Sequence, residues 1–376
     1  MKVGVIGLGL MGQTHCETLS KSKYIDRIVG CDLSMEAMSR LQEKVAIGGL
    51  YTNHKEMLEK EKLDLVLVST RDSEHFNPIM DSIDAGIKNI ICEKPLTTNV
   101  EEARIITDYV KKRNVNLMML FASRFLSAEK ALKACFQENL IGKIVYGDVR
   151  SDDSIIVPCG LWGDESYKWV SQTSPAHFLM SHTADLLRWY LYPTEVEAVY
   201  AISQREILNT SVDLYDAFIF FNNGIKVRLK SEWIKYMDQL VESYISFSGQ
   251  EGSIIYNRTP YKCNSSLYIT SSRKVNDDKI RKYLDRLKTL RLDVNLVSKA
   301  DGVVSKIVEI GPDGIKDEEW NKALNYLIDG IVENTLTPSS YSSLGPLPIV
   351  DDGLEAVKIA CAIEESAKKG EKVYLR

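Results

Sequence analysis

No stretch of this chain approaches the roughly 20 consecutive apolar residues that a membrane-spanning helix needs, so a membrane partner is not expected. Surplus positive charge is missing too. With 47 Lys and Arg against 52 Asp and Glu the formal net charge is −5, which offers no general attraction to nucleic acid or anionic lipid. The seven cysteines, Cys16, Cys31, Cys92, Cys135, Cys159, Cys263 and Cys361, are scattered and never form a C-x-x-C pair. That spacing suggests neither a disulfide framework nor a zinc site, no metal is expected, and a reducing cytoplasm fits best. Internal repeats and low-complexity linkers are absent as well. The apolar opening MKVGVIGLGLMGQTH has a single basic residue and a glycine-punctuated strand-turn-helix rhythm, so it reads as structure and not as a signal peptide. What is present is an ordinary globular composition, 44% hydrophobic and 26% charged over 376 residues, long enough for two hydrophobic cores.

Short β-rich runs alternate with helical stretches from Lys2 to about Leu120, with strands expected at Val3–Ile6, Ile28–Cys31, Leu65–Ser69, Ile90–Cys92 and Asn116–Leu120. That alternation implies a doubly wound parallel sheet with helices on both faces, assigned to residues 1–122. Asn99 starts one of the helices and Gly86 ends another. Beyond Arg124 the texture changes. A helix at about 128–139 precedes long β-patterned runs at Lys143–Arg150, Glu195–Gln204, Asp216–Phe221, Lys226–Trp233, Ser243–Ser248 and Ser266–Thr270, and Asn222-Asn223-Gly224 reads as a hairpin turn. Residues 123–376 are therefore expected to form an α+β domain on a large, mostly antiparallel open sheet. Between Arg273 and Ala300 a basic stretch repeats Ile280, Tyr283, Leu284, Leu287 and Leu290 at helical spacing, which suits a helix packing that stripe on the domain or on a subunit partner. Two further helices are expected at 318–334 and 351–368.

The run Gly7-Leu8-Gly9-Leu10-Met11-Gly12 directly follows a buried-type strand and opens a helix, the context in which a G-x-G-x-x-G pattern carries weight. Gly7 permits the tight turn, Gly9 lets the backbone approach a pyrophosphate, and Gly12 lets helix and strand pack closely. The helix start, at Leu10 and Met11, presents unpaired N–H groups and partial positive charge to phosphate. Asp32 lies 20 residues beyond Gly12 (32 − 12 = 20), at the end of the next strand, where a carboxylate can accept from ribose hydroxyls. Because that charge repels a 2′-phosphate, and Leu33 and Ser34 supply no compensating cation, NAD is expected in preference to NADP.

A second cluster, Cys92-Glu93-Lys94-Pro95, ends another strand, where open α/β sheets place their ligands. A partly desolvated lysine there would have its pKa moved down from about 10.4 toward the range of a proton-transfer group. With these landmarks, and with His15, the stretch from Ser69 and Thr70 to His75, Ser123-Arg124-Phe125, Leu140 to Ile144, and His182 to Asp185 in order, the chain resembles the glucose-fructose oxidoreductase and inositol dehydrogenase family (Gfo/Idh/MocA) over nearly its whole length. The resemblance implies oxidation or reduction of a sugar, cyclitol or related polyol held between the domains, and a homo-oligomer, dimer or tetramer. It assigns Ser69, Thr70, His75 and Glu93 to the cofactor side. Lys94 would hold the reacting hydroxyl, and His182 would be the acid–base partner that takes its proton as the hydride leaves.

Thr173-Ser174-Pro175 independently signals the start of the helix bearing His182, on which residues 178, 182 and 185 are expected to share a face. Here the chain departs from the family, in which many members carry an aspartate four residues before this histidine; Phe178 stands there. Three explanations stay open: His177 or Asp185 substitutes in part, lysine and histidine suffice for a less demanding substrate, or the reaction differs. The segment Ser151–Ser174, expected as a loop, offers Trp162 and Lys168 among its aromatic and charged groups for a polyhydroxylated ring, and Arg124 falls at the domain junction. The leading expectation is an NAD-dependent dehydrogenase or reductase. The alternatives are an NAD-retaining lyase or glycoside-cleaving enzyme and a non-catalytic NAD-sensing regulator.

Overall fold

A computed structural model describes residues 1–161, 163–258, 266–272, 277–290, 295–298, 304–310, 322–341 and 344–375. The chain divides into two compact units, Met1–Ala122 with Trp320–Val357, and Ser123–Glu319 with Lys358–Arg376. A single boundary after residue 122 therefore misses one feature, the return of 320–357 to the first unit. The physical reason lies on the strand Asn116–Leu120, where Met119 N–H donates to Pro348 O and Met118 pairs antiparallel with Ile349. One turn later Gly353 lies so close that a Cβ would stand 2.9 Å from Met119 Sδ and 3.1 Å from Leu96 Cβ.

The first unit is built on β1 (Lys2–Ile6), β2 (Arg27–Cys31), β3 (Gly49–Tyr51), β4 (Leu65–Val68), β5 (Asn89–Glu93) and β6 (Asn116–Leu120), all parallel, in the order β3-β2-β1-β4-β5-β6. Strands covered on both faces need unbroken apolar runs, and β4, Leu-Val-Leu-Val, is buried at every residue. Local chemistry sets the helix ends as expected. Asn99 Oδ1 accepts from the N–H groups of Glu101 and Glu102, and Gly86 takes a positive φ of 87° just past the helix Phe76–Asp84. The edge strand β3, three half-buried residues, was not anticipated because so short a run has no period to read. The strand order reverses between β1 and β4, and such a switch point opens a crevice at the carboxyl ends of the strands.

The second unit carries a ten-stranded sheet. Its strands are β7 (Ile144–Asp153), β8 (Val196–Gln204), β9 (Leu214–Phe221), β10 (Lys226–Glu232), β11 (Val241–Gly249), β12 (Gly252–Arg258), β13 (Ser266–Ser272), β14 (Asn295–Ser298), β15 (Val304–Ile310) and β16 (Val373–Tyr374). Their order is β14-β15-β13-β12-β11-β7-β10-β9-β8-β16, antiparallel throughout except for the parallel pair β7–β10. Alternation is plain on β10, where Val227, Leu229 and Ser231 are buried while Arg228, Lys230 and Glu232 face the other side half-exposed. Gly224, at φ 89°, closes the β9–β10 hairpin, with Asn223 Oδ1 accepting from Ile225 N–H. Phe136, on the helix Ser127–Gln137, meets Phe247 of β11 edge-on at 5.0 Å. The segment expected as a loop is instead the end of β7 followed by two short helices, Ile156–Gly160 and Asp164–Val170.

Within the basic stretch, the described helix Asp277–Thr289 buries Ile280, Tyr283 and Leu287, and Tyr283 donates its hydroxyl to Ala131 O. Its apolar stripe thus packs on the helix Ser127–Gln137, while Arg286 reaches Gln137 and Glu138. Leu287→Ala is accordingly expected to destabilise the chain by about 2–5 kcal/mol. The exposed Lys282→Ala should stay within about 0.5 kcal/mol in the same denaturant titration.

Candidate functional site

Three peptide groups meet where β1 ends. Gly7 N–H donates to Cys31 O at 2.9 Å, Ser69 N–H to Ile6 O at 2.8 Å, and Ser69 Oγ to Gly7 O at 2.8 Å. Gly7, at φ 92°, has no room for a side chain, because a Cβ would stand 2.5 Å from the Ser69 carbonyl. At Gly12 a Cβ would lie 2.0 Å from Gly7 O. Gly9, which caps the helix Leu10–Leu19, is the opposite case: it is exposed and a Cβ would meet nothing within 4 Å. Two glycines are thus demanded by the fold and the third opens onto free space, beside first-turn N–H groups that a helix leaves without internal partners. This cradle fits a dinucleotide pyrophosphate, with Leu10 and Met11 at the helix start. Asp32 is held in place beside this cradle, since Oδ2 accepts from Leu8 N–H at 2.6 Å and Oδ1 from Ser34 N–H at 2.8 Å. Each oxygen keeps acceptor capacity for a hydroxyl.

At the end of β5, Glu93 is 9% exposed and its Oε1 lies 2.6 Å from His15 Nε2, while Oε2 accepts from Lys94 N–H at 3.2 Å. Burial alone would raise this carboxyl. The His15 hydrogen bond and charge, the Lys94 charge and the Lys94 N–H together outweigh it and hold the pKa below the ordinary carboxylate value. Nothing in the sequence signals this role for His15, because 78 positions separate it from Glu93. Lys94 is half-buried and joined to Pro95 by a cis peptide. His75 is 1% exposed, with Nδ1 2.8 Å from Pro95 O and Nε2 3.2 Å from Thr70 O. Wedged between two carbonyls, it braces the Lys94-Pro95 corner against the end of β4. Ser69 likewise serves the turn through its bond to Gly7 O, and Thr70 Oγ1 reaches Glu74 O at 3.3 Å.

The second-unit candidates are arranged differently from expectation. Arg124, expected at the domain junction, and Asp185, one of the groups considered in place of the missing aspartate, both candidates for contact with substrate, form a buried bidentate pair at 3% and 0% exposure, Nε to Oδ2 at 2.8 Å and Nη2 to Oδ1 at 2.5 Å. Neither is spare for substrate, because breaking such a pair strands a buried charge at a cost of about 3–5 kcal/mol. Beside them Lys133, which the sequence did not single out, donates to Trp189 O. Burial and then the Arg124 charge push it down to about 8. On its helix it had the spacing of any solvated lysine, so no signal marked it.

His177 is 3% exposed, and its Nε2 lies 3.3 Å from Glu364 Oε2, while Ser174 Oγ donates to Glu364 Oε1 at 2.5 Å. Burial would lower the imidazole, but hydrogen bonds to Cys361 and Glu364 prevail and raise it to about 10. His177 is therefore occupied within its own unit. Phe178 packs into an aromatic cluster, 4.7 Å from Trp169 and 5.9 Å from Trp233. The turn that carries both residues, Ala176–Met180, is a π-turn and not the regular helix expected. Half-buried His182 follows it on the helix Ser181–Leu191. Lys168 is exposed on the helix Asp164–Val170, and Trp162 lies outside the described residues. Asp152 is drawn into the sheet by Lys230 at 3.1 Å and Lys235 at 2.7 Å. Among the described residues no three His, Cys, Asp or Glu side chains gather as a metal ion would require, and no helix is long and apolar enough to cross a membrane.

Residues 1–121 match the model of an oxidoreductase family with an NAD-binding Rossmann fold, Gfo/Idh/MocA. A myo-inositol 2-dehydrogenase of Thermotoga maritima is 29% identical over 204 residues, 54% of this chain and 58% of that protein. A D-glucoside 3-dehydrogenase of Escherichia coli is 22% identical over 299 residues, 74% of this chain and 84% of that protein. The solved structure of levoglucosan dehydrogenase in complex with NADH and L-sorbose shares the fold at a TM-score of 0.78 and 20% identity, covering 100% of this chain and 99% of that one. The chain spans about half the length of several curated relatives that it matches.

Two outcomes follow from this geometry. Gly9→Ala should leave the melting temperature unchanged yet abolish NAD binding by calorimetry, whereas Gly12→Ala should fail to reach the native fold, because its Cβ collides with Gly7 O. The second concerns pH. His177 binds its proton more tightly folded, about 10, than unfolded, 6.5, so its stabilising contribution is complete below 6.5 and disappears as the pH rises through about 10. The gap in melting temperature between the wild type and His177→Gln is expected to shrink steadily across that window.

Proposed function

We propose, from the match of residues 1–121 to the model of the Gfo/Idh/MocA oxidoreductase family, that the chain is an NAD-dependent dehydrogenase or reductase acting on a hydroxyl-bearing carbon of a sugar, cyclitol or related polyol. The observation that carries this reading is the unfilled space over Gly9 at a helix start, with Asp32 fastened beside it. Asp32 favours NAD over NADP by repelling a 2′-phosphate. NAD, when bound, supplies the acceptor or donor of the hydride. The remaining work is proton handling by the protein. Lys94, its backbone fixed by Glu93 and the His75-braced corner, is the group that binds the reacting hydroxyl. The Glu93 carboxylate keeps a negative charge next to that lysine. His182 is the acid–base group that takes the hydroxyl proton as a carbonyl forms and returns it in the reverse direction. Inositol and glucoside dehydrogenases among the relatives support a cyclic polyol as substrate. A homo-oligomer working in the cytoplasm completes the proposal.

One observation favours a second reading. Phe178 stands where the family resemblance implies an aspartate and is committed to the Trp169–Trp233 cluster, which suits the chemistry of a lyase or glycoside-cleaving enzyme that oxidises and reduces retained NAD within one cycle. Purified protein is expected to change the nicotinamide absorbance with NAD and a panel of cyclitols and glycosides. Lys94→Ala should abolish that change, and His182→Gln should lower kcat by about 10²–10⁴-fold with NAD affinity unaltered. Product without net absorbance change would instead establish the NAD-retaining reading. NAD binding without turnover, and without any consequence of Lys94→Ala in the cell, would make the protein a regulator.

A further inference from the structure

The ten-stranded sheet of the second unit has two unlike faces. On the face that meets the helix Ser127–Gln137 through Phe136 and Phe247, the side chains of Val227, Leu229, Ile245, Phe247 and Ile269 are buried. On the other face Tyr146, Tyr200, Ile202, Phe218, Ile255 and Tyr268 are exposed. Six large apolar side chains on one continuous sheet face are more than scattered surface residues, and such a patch marks an interaction surface. The strand registers arrange part of it as a row. Tyr200 stands beside Phe218, Phe218 beside Arg228, Arg228 beside Asp148, Asp148 beside Ser246, and Ser246 beside Ile255, from β8 through β9, β10, β7 and β11 to β12. Apolar residues thus end the row on both sides, and two opposite charges meet at its middle, on the parallel pair β10–β7. Arg228 is already compensated within the chain, by Asp216 at 2.6 Å and Asp148 at 3.6 Å, so covering it strands no charge.

We propose that this face is the contact between two copies of the chain, packed sheet on sheet about a two-fold axis that runs along the strands between β10 and β7. A two-fold contact uses the same patch twice, so the patch has to complement itself. With the axis in that place Arg228 of each copy lies over Asp148 of the other, Phe218 lies over Ser246, and Tyr200 lies over Ile255. In the row on one side Lys226 meets the ring of Tyr146, a cation over an aromatic face. In the row on the other side Lys230 meets Arg150, but each is engaged within its own chain, Lys230 with Asp152 and Glu232 and Arg150 over the ring of Tyr244. A two-fold axis across the strands at this row would instead set Arg228 on Arg228 and Asp148 on Asp148. The eight strands from β16 to β13, about 4.8 Å apart and taken over three rows, present roughly 750 Å² per copy, close to the about 800 Å² per partner of a standard specific interface. The inference rests on the homo-oligomer of the reading above and on none of its chemistry.

The test is sedimentation equilibrium of the full chain with paired charge variants. Within one chain Tyr200 and Ile255 are five strand spacings apart, about 24 Å, too far to touch. Any coupling between them therefore has to come from a second copy. The wild type is expected to sediment as a dimer or a multiple of one. Tyr200→Lys and Ile255→Asp should each raise the dimer dissociation constant by at least about tenfold. The double variant should recover most of that loss, because each new lysine then meets a new aspartate across the axis. Should either member fail to fold, Phe218→Asp with Ser246→Lys is an independent pair, about 14 Å apart within a chain, with the same expected pattern. Single variants that associate as tightly as the wild type overturn the interface. Single variants that dissociate with no recovery in the double variant overturn the placement of the axis, and the proposal with it. A wild type that stays monomeric at every concentration removes the homo-oligomer and this interface together, while the nicotinamide absorbance assay still decides the chemistry by itself.

Discussion

The distance between the first helix and the strand that feeds it constrains everything else in the first unit. A methyl group at position 12 would stand 2.0 Å from Gly7 O, and one at position 7 would stand 2.5 Å from the Ser69 carbonyl. Interiors packed at crystal-like density have no slack to absorb either. Because the backbones touch, Ser69 Oγ can reach Gly7 O and Asp32 can accept from Leu8 N–H, so β1, β2 and β4 are tied together at their carboxyl ends. The same closeness aims the start of the helix Leu10–Leu19 into the crevice where the strand order reverses. The exposed N–H groups of that helix start are thus a by-product of packing, and Gly9 is the position where space is left over.

Charge in the second unit follows a different logic. Arg124, Asp185, His177 and Asp152 are nearly or fully buried, and each has an opposite charge within 4 Å. Burial without such partners would neutralise these groups or unfold the chain. These side chains are consequently spent on ion pairs within the unit. Phe178 belongs to the same economy, since its ring completes an apolar cluster that a carboxylate would have spoiled.

In the first unit the corner at Lys94 shows how several weak constraints add. His15 crosses from the first helix to Glu93, Glu93 accepts from Lys94 N–H, and His75 joins Pro95 O to Thr70 O. None of these bonds is large alone, since a typical hydrogen bond contributes about 0.5–1.5 kcal/mol net. Together they fix the backbone of Lys94, while leaving its side chain half-exposed.

Local patterns were enough to read β1, β2, β4, β5 and β6, the Asn99 cap, the Gly86 stop, the Asn223-Gly224 hairpin and the amphipathic helix around Tyr283. Each depends on residues only a few positions apart, through side-chain period, capping or positive φ. From the same kind of signal the glycine run and Asp32 announced a dinucleotide cradle. The three-residue β3, the return of 320–357 to the first unit and the π-turn before His182 left no such trace. Nor did the partnerships that give the polar groups their meaning: His15 with Glu93 across 78 positions, Arg124 with Asp185 across 61, and Ser174 with Glu364 across 190. Sequence by itself therefore determined which chemical groups the protein carries and the local shapes that present them. Which groups stay available and which neutralise each other was decided only when the fold buried them, because the cost of desolvating a charge, and the partner that offsets it, exist only in three dimensions.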